Sequence, residues 1–140
     1  MKVLDVNVLV NALRPDASKH ATAFDLIDHA RAGEHPVIVL TEVAAGFLRI
    51  VTRPGLFAQP EDADSAMAAL RAWCSGPSVR LSEAGAGRWR RFEHLMARHH
   101  LVGAEIHDGL LAAACIDLGA TLVTFDRGFT RFEDLALELL

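Results

Sequence analysis

Four successive apolar residues, Val37-Ile38-Val39-Leu40, stand between Pro36 and Thr41 with no polar alternation. A strand of that kind needs cover on both faces, which points to a parallel sheet packed between helices. Two other runs read in the same way: Val3-Leu4 near the start, and Ala120-Thr121-Leu122-Val123-Thr124-Phe125 near the end. An acid follows each run within two residues, as Asp5, Glu42 and Asp126. A buried, unpaired carboxylate is strongly unfavourable, so a repeated acid at such positions asks for an explanation. In open α/β sheets the C-terminal ends of parallel strands gather along one edge, where sites are built.

Helical spacing fills the intervals between these runs. The pattern predicts helices over 6–13, from a cap at Asp16 or Ser18 to about residue 32, and from a Thr41 cap through Glu42 to Val51. Three more follow over 61–73, 82–99 and 103–118, the last closed by Gly119. Phe24 and Ile27, Phe47 and Val51, Leu70 and Trp73, then Trp89, Phe92, Leu95 and Met96 read as inward-facing stripes. Residues 79–81 suit a short edge strand, and Phe129 and Phe132 suit buried positions near the end. Strands alternating with helices predict an α/β fold, a three-layer α/β/α sandwich with a central, mostly parallel sheet. The length of 140 residues fits a single domain over 1–140.

Composition narrows the classes of function. A net charge of -4 argues against binding nucleic acid by bulk positive charge alone. It leaves room for an enzyme that meets nucleic acid through a metal ion, because the ion inverts the sign of an acidic site. No apolar stretch approaches the roughly 20 residues needed to cross a bilayer, and Asp5 and Asn7 interrupt the only run resembling a signal peptide. Cys74 and Cys115 lack both metal-ligand spacing and a disulfide framework. These features together read as a reduced, cytoplasmic protein.

A fourth acid, Asp108, shares a helical face with Leu111, Ala112 and Cys115 and so interrupts an inward stripe. Each acid alone has an ordinary explanation as a cap, a turn or a partner for arginine. Convergence changes the balance, since two carboxylates about 5 Å apart repel by roughly 3 kcal/mol at an effective dielectric of 20. Four such groups need a cation, and oxygen-only ligation points to Mg²⁺ or Mn²⁺ rather than zinc. His94, His99, His100 and His107 follow no zinc-binding spacing.

Four stretches carry a resemblance when taken in order. They are Leu4-Asp5-Val6-Asn7-Val8-Leu9-Val10, Leu40-Thr41-Glu42-Val43, His107-Asp108-Gly109-Leu110-Leu111-Ala112-Ala113 and Leu122-Val123-Thr124-Phe125-Asp126-Arg127-Gly128-Phe129. Together they resemble the PIN-domain family, in particular the VapC toxins of bacterial toxin–antitoxin pairs. The resemblance implies a PIN-like fold and a Mg²⁺-dependent endoribonuclease. In it, Asp5, Glu42, Asp108 and Asp126 form the catalytic quartet, with Asp5, Asp108 and Asp126 as metal ligands. It also implies a cognate antitoxin, a homodimer and a higher toxin–antitoxin assembly.

Several positions stand beside that core reading. Asn7 departs from the hydroxyl residue often found two places after the first Asp in the family, although its amide can still serve a supporting role. Thr124 reads either as a partner steadying a carboxylate or as a plain strand residue. Glu105, one turn before Asp108, is a candidate fifth acid against a default of a solvated residue. Arg127 and Arg131 flank Asp126 and are candidates either for RNA phosphate contact or for pairing with nearby acids, whereas Arg88, Arg90, Arg91 and Arg98 read as a solvated helix face. Phe47, Leu48, Val51, Leu56 and Phe57 are either core or the groove that receives an antitoxin segment. Two other functions remain open at this level. One is a receiver-like phosphoacceptor or binding module, although Lys2 and Lys19 are the only lysines. The other is a nuclease of the same superfamily acting on different nucleic acid.

Overall fold

The computed structural model describes residues 1–140. Its elements are β1 (Lys2–Leu4), α1 (Val6–Leu13), α2 (His20–Ala32), β2 (Val37–Leu40), α3 (Thr41–Val51), α4 (Ala63–Trp73), β3 (Val79–Ser82), α5 (Arg88–His99), α6 (Glu105–Leu118), β4 (Thr121–Thr124) and β5 (Leu137–Leu139). A 3-10 helix, Arg127–Arg131, lies between the last two strands. The five strands form one sheet in the order β3-β2-β1-β4-β5, and every pairing is parallel. The apolar runs occupy its centre, as their lack of alternation requires. Val3, Leu4, Val39, Leu40, Leu122 and Val123 are buried, and six helices flank the sheet. Helices α1 to α4 pack among themselves, while α5 and α6 pack as a pair.

Register decides what meets at the sheet edge. Leu4 lies opposite Val123, so the next residues, Asp5 and Thr124, emerge side by side. On the other flank Leu40 lies opposite Ser82. Chain reversal at the opposite end of α6 rests on Gly119, whose φ of 61° lies in the left-handed region. A side chain there would be strained.

Several local expectations differ from the structure. The second helix has no side-chain cap at its start, and Asp16 instead binds the Arg14 guanidinium through two hydrogen bonds of 3.0 Å. A buried arginine outcompetes a cap for that carboxylate. Thr41 is the first residue of α3 rather than its cap, and Leu40 holds the capping position. The helix expected over 82–99 begins at Arg88, because Ser82 still belongs to β3 and Gly85 and Gly87 lie in the intervening loop. The helices expected from 61 and 103 start two residues later, at Ala63 and Glu105. Trp89 and Phe24, expected to face inward, are 61 % and 48 % exposed. The mixed chemistry of tryptophan explains the first, whose indole N–H donates to Glu93.

Candidate active site

Asp5 belongs to the last turn of chain before α1 and caps that helix. Its Oδ1 accepts the Val6 N–H at 2.6 Å. Its Oδ2 accepts the Thr124 hydroxyl at 2.6 Å and the Asn7 amide at 2.7 Å. Both carboxylate oxygens are therefore held at fixed angles. Only 7 % of the residue is exposed. Burial raises its carboxyl above the ordinary range against the pull of the Thr124 and Val6 hydrogen bonds, and the charges of Asp108 and Asp126 push it further upward.

Asn7 and Thr124 form the frame around this carboxylate. The Asn7 amide also donates to Thr124 Oγ1 at 2.8 Å, and its Oδ1 accepts the Phe125 N–H at 3.2 Å. Thr124, fully buried, accepts the Asp126 N–H at 3.0 Å. Thr124 thus ties the tip of β1 to the turn carrying Asp126. That turn is closed by Asp126 Oδ1 accepting the Gly128 N–H at 2.7 Å. A Cβ at Gly128 would lie 3.0 Å from the same oxygen, so a side chain there would crowd the Asp126 carboxylate.

Asp108, in the first turn of α6, approaches from the other side of the sheet edge. Burial raises its carboxyl, Arg131 pulls it down, and Asp126 and Glu105 raise it again. Arg131 joins Asp108 at 2.8 Å and Glu105 at 2.6 Å. Glu105, noted as a candidate fifth acid, is held below its ordinary range by the Val102 N–H and by Arg131. Of the two readings for Arg131, phosphate contact or pairing with nearby acids, the structure has the second, while the exposed Arg127 has no acidic partner.

Glu42 has its own basic partner, since Arg88 donates to it across a sequence gap of 46 residues. Cys115 is a buried thiol raised to about 12 by burial, with the charges of Asp5 and Glu42 adding to the rise. Sequence reasoning placed Arg88 on a solvated face and gave Cys115 no electrostatic role. No local signal could have revealed either, since Glu42, Arg88 and Cys115 lie on three different helices, α3, α5 and α6.

The donor set is entirely oxygen, which suits a hard cation such as Mg²⁺ or Mn²⁺. Eight ion pairs occur in the chain, and none supplies a cation to Asp5 or Asp126. A buried anionic carboxylate facing two other carboxylates without a basic partner is the arrangement that a divalent ion would relieve. The side chains are not drawn together as a finished cage: no three His, Cys, Asp or Glu residues stand at ligating separation. A cavity of about 580 Å³ lies elsewhere, beside α2 and β1, lined by Lys2, Asp25, His29 and Val37 among others. It includes none of the four acids.

The proposed groove divides. Phe47 and Val51 are fully buried, with Phe47 against Trp73 at 5.6 Å between ring centroids, so they are core rather than contact surface. Leu48 and Phe57 are half-buried, Phe57 lying under the Arg14 guanidinium, and Leu56 is 51 % exposed.

Comparison with known proteins agrees with this architecture. The PIN domain family matches residues 2–135. Ribonuclease VapC43 of Mycobacterium tuberculosis is 34 % identical over 135 residues, covering 96 % of this chain and 92 % of the relative. Ribonuclease VapC37 of the same species is 29 % identical over 137 residues, covering 95 % and 92 %. Among solved structures, VapBC2 from Rickettsia felis, bound to a DNA fragment from its promoter, superimposes with a TM-score of 0.71 at 19 % identity. That alignment covers 99 % of this chain and 97 % of the other. The sarcin-ricin loop cleaving toxin VapC20 of Mycobacterium tuberculosis gives 0.69 at 16 % identity, covering 94 % of each. With the parallel sheet, the acids at its edge and a family match across nearly the whole length, this chain belongs to the PIN-domain family, alongside the VapC ribonucleases.

Proposed function

We propose that the chain is a Mg²⁺- or Mn²⁺-dependent endoribonuclease toxin, restrained by a cognate antitoxin. One observation carries the reading. Asp5 is buried, fixed by three hydrogen bonds and free of any cationic partner, yet it lies in the field of Asp108 and Asp126. That arrangement costs stability unless a cation is bound, which is sensible only where binding one is useful. The names of the relatives support RNA as substrate, and the solved VapBC pairs support an antitoxin partner.

Asp5, Asp108 and Asp126 would hold the ion. When bound, the ion supplies water activation and charge neutralisation at the scissile phosphate. The chain's own groups do the positioning. Thr124 and Asn7 keep both Asp5 oxygens aimed, so the carboxylate needs no reorganisation. Glu42, which follows the tip of the neighbouring strand and is paired with Arg88, would serve to orient the attacking water. Arg127, unpaired and next to Asp126, is placed to meet a phosphate oxygen. The same reading carries a homodimer, a larger toxin–antitoxin assembly and a cytoplasmic site of action. The receiver-like alternative is disfavoured by the PIN domain match over residues 2–135. A preference for DNA would use the same acids, and paired single-stranded RNA and DNA substrates separate the two.

The deciding experiment compares RNA cleavage by the wild type and Asp5→Asn with Mg²⁺, Mn²⁺ or EDTA. Cleavage should need the metal and fall by about 10²–10³ in the variant, the usual order for removing one charge-stabilising group, with circular dichroism unchanged. Equal cleavage by both proteins would identify a contaminating nuclease and refute the assignment.

A further inference from the structure

Of the four acids at the sheet edge, Glu42 is paired with Arg88 and Asp108 with Arg131, which also reaches Glu105. The Arg131 guanidinium spans two carboxylates one helical turn apart on α6, with Nη1 on Glu105 Oε1 at 2.6 Å and Nη2 on Asp108 Oδ2 at 2.8 Å. Its third nitrogen, Nε, is buried without an acceptor. The guanidinium carbon lies 5.1 Å from the centre of the Phe132 ring, a fully packed neighbour. The two carboxylates differ in how firmly they are fixed. Glu105 also accepts the Val102 N–H at 3.2 Å, while Asp108 has Arg131 as its sole hydrogen-bond donor.

From this asymmetry we propose that Arg131 is a tethered internal counter-ion that competes with the divalent metal for Asp108, with Glu105 as its permanent mooring. The inference rests on the metal-dependent reading above. Arginine stays protonated at all accessible pH, so the contact can open only by movement. When a metal takes Asp108, the guanidinium remains on Glu105 with one N–H edge freed beside the site. That edge matches the geometry of a phosphate oxygen. Arg131 is therefore a competitor of the metal for Asp108 and, after release, a contact for the RNA backbone. Its side chain offsets the charge of Asp108 before the ion arrives.

The test is Mn²⁺ binding to the whole chain by titration calorimetry, with no RNA present. Arg131→Gln should tighten Mn²⁺ binding about tenfold, the scale of losing one direct ion-pair competitor. Arg127→Gln removes an equal charge next to Asp126 and serves as the control, with an expected change below about threefold from the long-range field alone. Arg131→Lys keeps the charge but loses the two-pronged reach, and should fall between wild type and Arg131→Gln. Thermal melting shows that each variant is folded. In the Asp5→Asn background, which silences cleavage, Arg131→Gln should also weaken the binding of a short single-stranded RNA. Equal tightening in the Arg131 and Arg127 variants, or no tightening in Arg131→Gln, overturns the proposal. Mn²⁺ competition without any RNA cleavage would instead leave the counter-ion role standing and remove the ribonuclease reading.

Discussion

At the residue scale, the cost of Asp5 has a measurable sign. Burial holds the carboxyls of Asp5 and Asp108 above their ordinary value of 3.8. A group raised in the folded state stabilises the fold fully below its unfolded pKa, and that contribution is lost as pH rises through the folded value. Metal-free protein should therefore be more stable just above the ordinary carboxylate range than at neutral pH, before the lowered carboxyls are protonated. Among those, Glu105 is held below its ordinary 4.5 and is half-exposed, so its opposing contribution comes later and is small. Urea denaturation in EDTA at both pH values checks this, and a flat or falling profile counts against an unneutralised Asp5. The placement of this residue was legible in the sequence because it depends on two local facts, an apolar run and the acid that ends it. The guanidinium contacts were not. Arg131 and Asp108 are 23 residues apart, and Arg88 and Glu42 are 46 apart, and long flexible side chains choose partners only after the helices have packed.

At the scale of elements, helix α3 separates two roles that the sequence left mixed. Its apolar residues all read as one stripe, yet Phe47 and Val51 point into the core while Leu48 lies nearer the surface. Leu56, in the loop beyond, is open to solvent. Phe47→Ala should cost about 3–5 kcal/mol, as for other buried aromatic truncations. Leu56→Asp should change stability by less than about 0.5 kcal/mol and weaken antitoxin binding if this loop borders the docking groove. Chemical denaturation measures the first quantity for both variants, and a pull-down with the antitoxin measures the second. Strand and helix order were readable because apolar runs and 3.6-residue stripes are local signals. Boundaries moved where another side chain outbid a cap, as Arg14 does two residues before Asp16, or where strand pairing extended to Ser82. Solvent exposure of Trp89 and Phe24 escaped detection because periodicity cannot tell which stripes find a partner.

For the molecule as a whole, the sheet brings into one edge acids drawn from residues 5 to 126. Bound cation should stabilise the entire fold, since it favours the folded state alone. Mg²⁺ or Mn²⁺ in excess is expected to raise the melting temperature of the wild type by a few degrees, the shift produced by roughly 1 kcal/mol in a domain of this size. Asp5→Asn should lose most of that rise. Differential scanning calorimetry with and without EDTA distinguishes the two, and an equal rise in both proteins would place the ion elsewhere.

The hydrogen bond between Thr124 and Asp5 joins residues 119 positions apart. Its donor sits on the strand that completes the central pairing with β1. A ribosome must therefore deliver β4 clear of its exit tunnel before the first carboxylate can be fixed at all. Nascent chains shorter than this can pair β1 with β2, but they carry Asp5 with neither Thr124 nor Asp126 beside it. If Asp5 holds the ion as proposed, a chain truncated before β4 should bind no metal there.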